Sequence, residues 1–159
     1  SIDFEDEGAC RSGGACFNEP LNHWVAARVT NSTFMFYSAR RFNSALPSFG
    51  ASMLTEVYGM FCRAYSFDHP IVFDTSAVKN FTLFVAYSAY NQPLPIDTSQ
   101  GQEFTGTFFF NTAFNQPLLG WDTSAATSFS RMFFFASAFN NDIGYFNTSS
   151  VTNMESMFQ

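Results

Sequence analysis

Basic residues are scarce in this chain: only seven of its 159 residues are lysine or arginine, and charged residues of both signs make up 13%. The formal net charge is −6, and the sequence contains no basic run. Because a phosphate backbone is bound mainly through clustered lysine and arginine side chains, we expect no nucleic-acid partner.

Long hydrophobic runs are also lacking. The longest ones, such as residues 132–136, fall far short of the roughly 20 apolar residues that a transmembrane helix needs. We therefore expect no membrane span in this segment. The acidic residues 1–7 do not resemble a signal peptide, so we expect any leader to have been removed or to lie outside this chain.

Residues that carry common catalytic chemistry are few. The only two histidines, His23 and His69, occupy different places in the pattern described below, and the sequence has no zinc-binding histidine pair, glycine-rich phosphate loop or nucleophile elbow. We predict a non-enzymatic protein without a cofactor, a metal or catalytic residues.

What the chain does contain is a repeat. An aromatic residue followed by Asn or Asp and, three residues later, by Leu or Ile recurs six times, at intervals of 25, 25, 23, 24 and 25 residues. The copies start at Phe17, Phe42, Phe67, Tyr90, Phe114 and Phe139. A fixed period of this length is typical of a solenoid, in which each copy is one coil. Residues 1–16 would be a partial preceding coil or an N-terminal cap, and residues 17–159 six copies, the last one incomplete.

Large apolar residues fall into columns when the copies are aligned. One column holds Trp24, Phe49, Phe73, Ile96, Trp121 and Phe146, and another holds Phe36, Phe61, Val85, Phe108, Phe133 and Phe158. Stacked coils bury such columns, so we predict that they form the core and that most of the 23 phenylalanines are structural. Within the copies we expect short strands, as at residues 150–154, and short helical turns, as at residues 155–158.

A polar column lies beside the apolar ones. It contains Asn18, Asn43, Asp68, Asn91, Asn115 and Asn140. Because buried polar groups must be hydrogen-bonded, we predict a structural ladder that satisfies backbone groups of neighbouring coils. The alternative is a calcium or glycan site, but calcium needs several oxygens that converge on one point.

The three cysteines are Cys10, Cys16 and Cys62. A disulfide between Cys10 and Cys16 would tie down one end of the stack in an oxidising compartment. Cys62 lies too far along the stack to join them, and its place beside a core column favours a buried free thiol over an intermolecular link.

Three sequons predict N-glycosylation, with Asn31, Asn80 and Asn147 as the acceptors. Asn31 and Asn80 occupy the same column and would project from one face, whereas Asn147 could instead be the turn residue of its copy.

Two segments make a family resemblance visible. Phe114-Asn115-Gln116-Pro117-Leu118-Leu119-Gly120-Trp121-Asp122-Thr123-Ser124 and Val151-Thr152-Asn153-Met154-Glu155-Ser156-Met157-Phe158 resemble the repeat of BspA-like surface proteins. The resemblance extends from Phe17 to the last residue, more loosely in the first two copies. It implies a right-handed leucine-rich-repeat-like solenoid with short parallel β-strands, an extracellular or cell-surface location, and a role in adhesion or recognition.

Two functions remain open on this basis. The chain is a scaffold that binds a protein or glycan at the cell surface, or it is a glycosylated structural protomer that joins copies of itself end to end in an extracellular filament.

Overall fold

The computed structural model describes residues 13–49 and 53–159, and regular secondary structure is sparse in it. A 3-10 turn spans Gly13–Cys16. Two short strands follow, β1 at Val25–Ala26 and β2 at Ser48–Phe49, which pair in parallel with Val25 opposite Ser48. No helix within these ranges is long and apolar enough to cross a bilayer.

Neighbouring copies are joined by a row of isolated parallel β-bridges. The bridges run from Asn31 through Glu56, Asn80, Glu103 and Ser128 to Asn153. Each copy thus pairs with the next one, in parallel and at the repeat period. The strand predicted at residues 150–154 is reduced to the single bridge at Asn153, because the chain turns immediately afterwards.

Five-residue turns follow the bridges, and each donates three backbone hydrogen bonds to the next copy. We call them the turn segments: residues 34–38, 59–63, 83–87, 106–110 and 131–135. In each of them the first and fifth residues have a positive φ, between 52° and 61°. Ser156, which occupies the first position in the last copy, has a φ of 51°. The first, third and fifth N–H groups donate to carbonyls of the following copy, as Phe34, Phe36 and Ser38 do to Tyr58, Met60 and Cys62 at 2.9 Å each.

The helical turn predicted at residues 155–158 is therefore wrong. Ser156 has a φ of 51°, which a right-handed helix excludes. The carbonyls of Glu155 and Met157 accept hydrogen bonds from Arg131 and Phe133 of the preceding copy rather than continuing a helix.

Stacked aromatic rings fill the centre of the molecule. The rings that start the copies lie one above another, with neighbouring centroids 5.8 to 6.3 Å apart. Phe42, Phe67, Tyr90 and Phe114 are fully buried there. The third residues of the turn segments pack alongside, and Phe61 lies 3.9 Å from Phe67 between ring centroids. The predicted apolar columns therefore supply the core.

Two members of those columns are not core residues. Trp24 is 56% exposed and Phe158 is 65% exposed. Both belong to the outermost described copies, where a neighbouring copy covers a side chain on one side only: Phe158 stacks on Phe133 at 5.7 Å and turns its other face to solvent. Trp121 occupies the same column as Trp24 but has a copy on each side, and it is only 5% exposed.

Candidate binding surface

The polar column is hydrogen-bonded in a uniform way. The Oδ1 atoms of its first five residues each accept a hydrogen bond from the backbone N–H of the equivalent residue one copy further along, at 2.7 to 2.9 Å. The chain of acceptors and donors runs in order through Asn18, Asn43, Asp68, Asn91, Asn115 and Asn140. Carboxamide and carboxylate perform the same task here, which explains why Asp68 fits a column of asparagines.

A threonine column makes a second set of bonds between copies. The buried hydroxyls of Thr75, Thr98 and Thr123 donate to backbone carbonyls of the following copy at 2.8, 2.9 and 3.1 Å. The Asp or Asn before each threonine accepts a hydrogen bond from the N–H two residues on, which closes a turn. Hydrogen bonds from the side chain and backbone of Ser124 lower the pKa of Asp122. The side chains of these polar columns form hydrogen bonds within the stack. A binding surface for a partner is therefore sought among the outer side chains.

The sequon asparagines share one local geometry. The Oδ1 atoms of Asn31, Asn80 and Asn147 accept hydrogen bonds from the N–H of the sequon Thr or Ser, at 2.8, 3.0 and 3.0 Å. Asn31 and Asn147 are exposed, whereas Asn80 is half-buried. Asn31 and Asn80 both lie in the row of bridges, with Glu56 between them.

Cys62 belongs to the turn segment 59–63 and not to the row of bridges. Cys62 is buried and has a free thiol, in agreement with the sequence expectation. Burial raises the pKa of that thiol to about 11, although the neighbouring Arg63 partly opposes the shift. The predicted disulfide between Cys10 and Cys16 lies outside the described residues because Cys10 does; Cys16 is half-buried at the end of the 3-10 turn.

A row of partly exposed aromatic rings runs along the outer side of the turn segments. We call it the aromatic row; it consists of Phe34, Tyr37, Tyr58, Tyr87, Phe109, Phe110, Phe134 and Phe135. Neighbouring rings in it lie 4.8 to 5.8 Å apart between centroids. Phe34, Tyr37 and Phe135 are 42%, 44% and 52% exposed. Since stacked copies repeat the same positions, they align these rings along the molecule.

Arg63 joins the two halves of the aromatic row. It is the fifth residue of its turn segment, the place that Tyr87 and Phe110 occupy in the next two copies. Its guanidinium carbon lies 6.0 Å from the ring centroid of Tyr37 and 5.6 Å from that of Tyr87. Both distances are within the range of cation–π attraction. The side chain of Arg63 is exposed.

An open concavity of about 530 Å³ lies beside Arg63. Apart from Arg63 and Cys62, its lining is aromatic or aliphatic: Phe34, Tyr37, Leu83, Tyr87 and Phe109. Gly59 supports this lining, because a Cβ atom there would lie 2.4 Å from the Phe34 ring. The glycine thus lets the ring of Phe34 lie flat across the next copy.

Sequence reasoning missed the aromatic row and Arg63, because it assigned nearly all phenylalanines to the core. A signal was present: aromatic residues follow the buried third residue of the turn segment directly in Phe108-Phe109-Phe110 and Phe133-Phe134-Phe135. Consecutive residues cannot all point into one core, so some of these rings had to lie at the surface. Which of them do so depends on the left-handed first and fifth residues of each turn segment, and these could not be recognised from the sequence. The predicted asparagine ladder and the sequon asparagines Asn31 and Asn80 lie in columns along the stack and do not line the concavity.

Comparison with known proteins identifies a family. No curated protein and no solved structure matches the chain. The model of a family described as "Mycoplasma protein of unknown function, DUF285" matches residues 11–94 and, in a second and overlapping match, residues 72–159. Two matches within one chain agree with its repeated sequence, and together they span nearly all of it. The chain therefore belongs to the DUF285 family.

Proposed function

We propose that the chain is a leucine-rich-repeat-like solenoid that works as a non-enzymatic binding scaffold, with the aromatic row as its contact surface. The proposed solenoid is supported by bridges, hydrogen bonds and stacked rings that all join each copy to the next at the repeat period. In a solenoid each copy contacts only its neighbours, which leaves a long continuous face for a partner.

The observation that carries the binding role is the exposure of the aromatic row. Contiguous exposed apolar surface is uncommon on soluble proteins and marks interaction sites. Tyrosine, phenylalanine and arginine are also enriched at protein interfaces, and tyrosine and arginine are enriched among the residues that contribute most of the binding energy. Here they lie side by side over five consecutive copies, and Tyr37, Arg63 and Phe135 are all exposed.

The proposed setting is the cell surface or the extracellular space, where the partner is a protein or a glycan. This part of the proposal rests on the resemblance to BspA-like surface proteins and on the three sequons. Exposed Asn31 and Asn147 would accept N-linked glycans in a host that makes them, and the proposed bridge between Cys10 and Cys16 would form in the same oxidising setting.

The test is a binding comparison on intact cells. Fluorescently labelled wild-type chain and a triple variant with Tyr37→Ala, Tyr87→Ala and Phe110→Ala are titrated onto the cells and measured by flow cytometry. A matched control variant carries Val72→Ala and Leu119→Ala, which remove exposed apolar side chains outside the aromatic row. We expect saturable binding for the wild type and the control, and at least a tenfold loss for the triple variant with its folded CD spectrum retained. Equal binding by all three proteins would contradict the proposal.

A second candidate function is a structural protomer. It is favoured by the uniformity of the contacts between copies: the same hydrogen bonds of the asparagine ladder and the same ring stacking recur from copy to copy. A second molecule could extend the stack through the same bonds, and head-to-tail contacts that do not close into a ring form filaments. Electron microscopy of the native material separates the two candidates, since filaments favour the protomer and discrete short particles the scaffold.

A further inference from the structure

We propose that Arg63, held between Tyr37 and Tyr87, binds a carboxylate of an acidic peptide segment in a partner protein, and that the adjacent concavity receives a neighbouring apolar side chain of the same segment. This inference rests on the proposed binding function and specifies the chemistry of the partner.

The first support is the state of the Arg63 side chain. The guanidinium carbon lies over the rings of Tyr37 and Tyr87, at 6.0 and 5.6 Å from their centroids. A guanidinium group carries five N–H donors in its plane, and in the part of the chain that the structure describes none of those of Arg63 has an acceptor. Arg131, by contrast, forms an ion pair with Glu155 at 2.7 Å. Arg63 is thus held by contacts with two rings while its N–H donors remain available for a bidentate carboxylate.

The second support is charge complementarity. Arg63 supplies the single formal charge of the concavity, since the other lining side chains are uncharged. The thiol of Cys62 in the lining stays neutral at physiological pH. The whole chain is nevertheless acidic, with a net charge of −6, so this site is a local positive exception. An anionic partner is attracted here, and a cationic one is repelled.

The third support is the apolar character of the lining, which favours a peptide over a glycan. Sugar hydroxyls require several hydrogen-bonding side chains. Only Arg63 and the hydroxyls of Tyr37 and Tyr87 supply strong ones in this lining, and Phe34, Leu83 and Phe109 offer none. Their rings and methyl groups suit an aromatic or aliphatic side chain, and a volume of about 530 Å³ accommodates one or two of them. The fit is therefore to a segment in which an apolar residue lies next to Asp or Glu.

The lining is also held in position before a partner arrives. Phe34 packs against Tyr37 and Tyr58 at 5.1 and 4.8 Å between centroids and lies over Gly59. Tyr87 packs against Phe109 and Phe110 in the same way, at 5.4 and 5.0 Å. Side chains that are already ordered lose little conformational entropy on binding, which favours affinity.

The experiment uses two blocked peptides, one in which phenylalanine alternates with glutamate and a matched one with glutamine in place of glutamate. Each is titrated into the full ¹⁵N-labelled chain, and NMR follows the backbone amide resonances of the residues that line the concavity, together with the Arg63 Nε–Hε resonance wherever Arg63 is present. We expect saturable shifts with the glutamate peptide and at least about tenfold weaker binding of the glutamine peptide. Arg63→Gln should weaken binding of the glutamate peptide by a similar factor and Arg63→Lys by less, because an ammonium group cannot form the bidentate pair. The control Arg131→Gln removes an exposed arginine outside the aromatic row and should bind as the wild type does.

Three results would overturn the proposal: no shift at millimolar glutamate peptide, equal binding of the two peptides, or equal binding by Arg63→Gln. A sialylated trisaccharide is titrated in parallel, and if it alone shifts the Arg63 resonance the partner is an acidic glycan and the peptide proposal is wrong. Failure here is distinct from failure of the scaffold function: if Arg63→Gln binds cells as the wild type does while the triple variant does not, the aromatic row is the contact surface without a carboxylate site.

Discussion

The side-chain Oδ1 of Asn91 accepts a hydrogen bond from the backbone N–H of Asn115, one copy further along, at 2.9 Å. The same relationship links every pair of neighbouring copies, and in one of them the acceptor is the carboxylate of Asp68. The ladder therefore depends on an acceptor oxygen at this position and not on the amide as such.

This ladder can be tested with two substitutions of one residue. Asn91→Ala removes the acceptor and should lower the free energy of unfolding by about 0.5–1.5 kcal/mol, the usual net value of such a bond. Asn91→Asp keeps the acceptor and should cost less than Asn91→Ala. Urea unfolding followed by circular dichroism measures both, and equal losses for the two variants would show that the ladder does not contribute in this way.

The two tryptophans offer a matched pair in one column of the repeat. Trp121 is buried between copies, and its Nε1–H donates to the carbonyl of Leu94 at 3.2 Å. Trp121→Ala should destabilise the protein by about 3–5 kcal/mol, as expected for a large aromatic core residue. Trp24→Ala should cost much less because Trp24 is 56% exposed. Comparable losses in chemical unfolding would mean that the column is equally buried throughout.

Gly59 and Gly120 separate crowding from backbone strain. Both have positive φ values, 57° and 90°, but only a Cβ at position 59 would meet the ring of Phe34. Gly120→Ala should therefore cost only the left-handed conformation, about 1–2 kcal/mol. Gly59→Ala should add displacement of Phe34, seen as changed aromatic chemical shifts of Phe34 and Tyr58. Unchanged shifts of both rings would contradict the packing of Phe34 over Gly59.

Cys62 should make stability depend on alkaline pH. An unfolded thiol ionises near pH 9, whereas burial raises the pKa of Cys62 to about 11. Below pH 9 the thiol is protonated in both states, so its contribution to stability is fully present; between pH 9 and 11 only the unfolded state ionises, and that contribution is lost. The free energy of unfolding of the wild type should thus fall more steeply over this range than that of Cys62→Ala, which shares the titrating tyrosines. Parallel curves would show that the thiol ionises equally in both states.

Glycan occupancy should follow the exposure of the sequons. On expression in a eukaryotic secretory host, we expect Asn31 and Asn147 to be modified more fully than half-buried Asn80. Peptide mass spectrometry before and after enzymatic deglycosylation gives the occupancy of each site. Asn31→Gln serves as the control that assigns the mass shift, and occupancy of Asn80 alone would reverse the expected order.

How far the sequence predicts the structure differs between columns. The positions of Phe42, Phe67 and Asn91 follow from periodicity, since stacked copies bring equivalent residues together. The turn segments do not follow from it, because a positive φ at Phe34, Leu83 and Arg131 is locally unfavourable for residues other than glycine. Only hydrogen bonds to the next copy make this conformation favourable, so local sequence preference could not reveal it.

The aromatic row was hidden for the same reason. Phe108, Phe109 and Phe110 are consecutive, yet only Phe108 is fully buried. The left-handed residues at the two ends of the turn segment decide which of the three rings points outward. Sequence alone could therefore count the aromatic residues but could not divide them between the core and the surface.

The stacking of copies is tested most directly by nuclear Overhauser contacts between aromatic rings in a chain with labelled phenylalanine and tyrosine. The ring of Tyr90 lies between those of Phe67 and Phe114, with centroids 5.8 and 6.3 Å away. We predict cross-peaks from Tyr90 to these two rings, and none to the next ones in the column, Phe42 and Phe139. Cross-peaks from Tyr90 to Phe42 or Phe139, or the absence of any to Phe67 and Phe114, would contradict the stack on which the aromatic row and the proposed binding function depend.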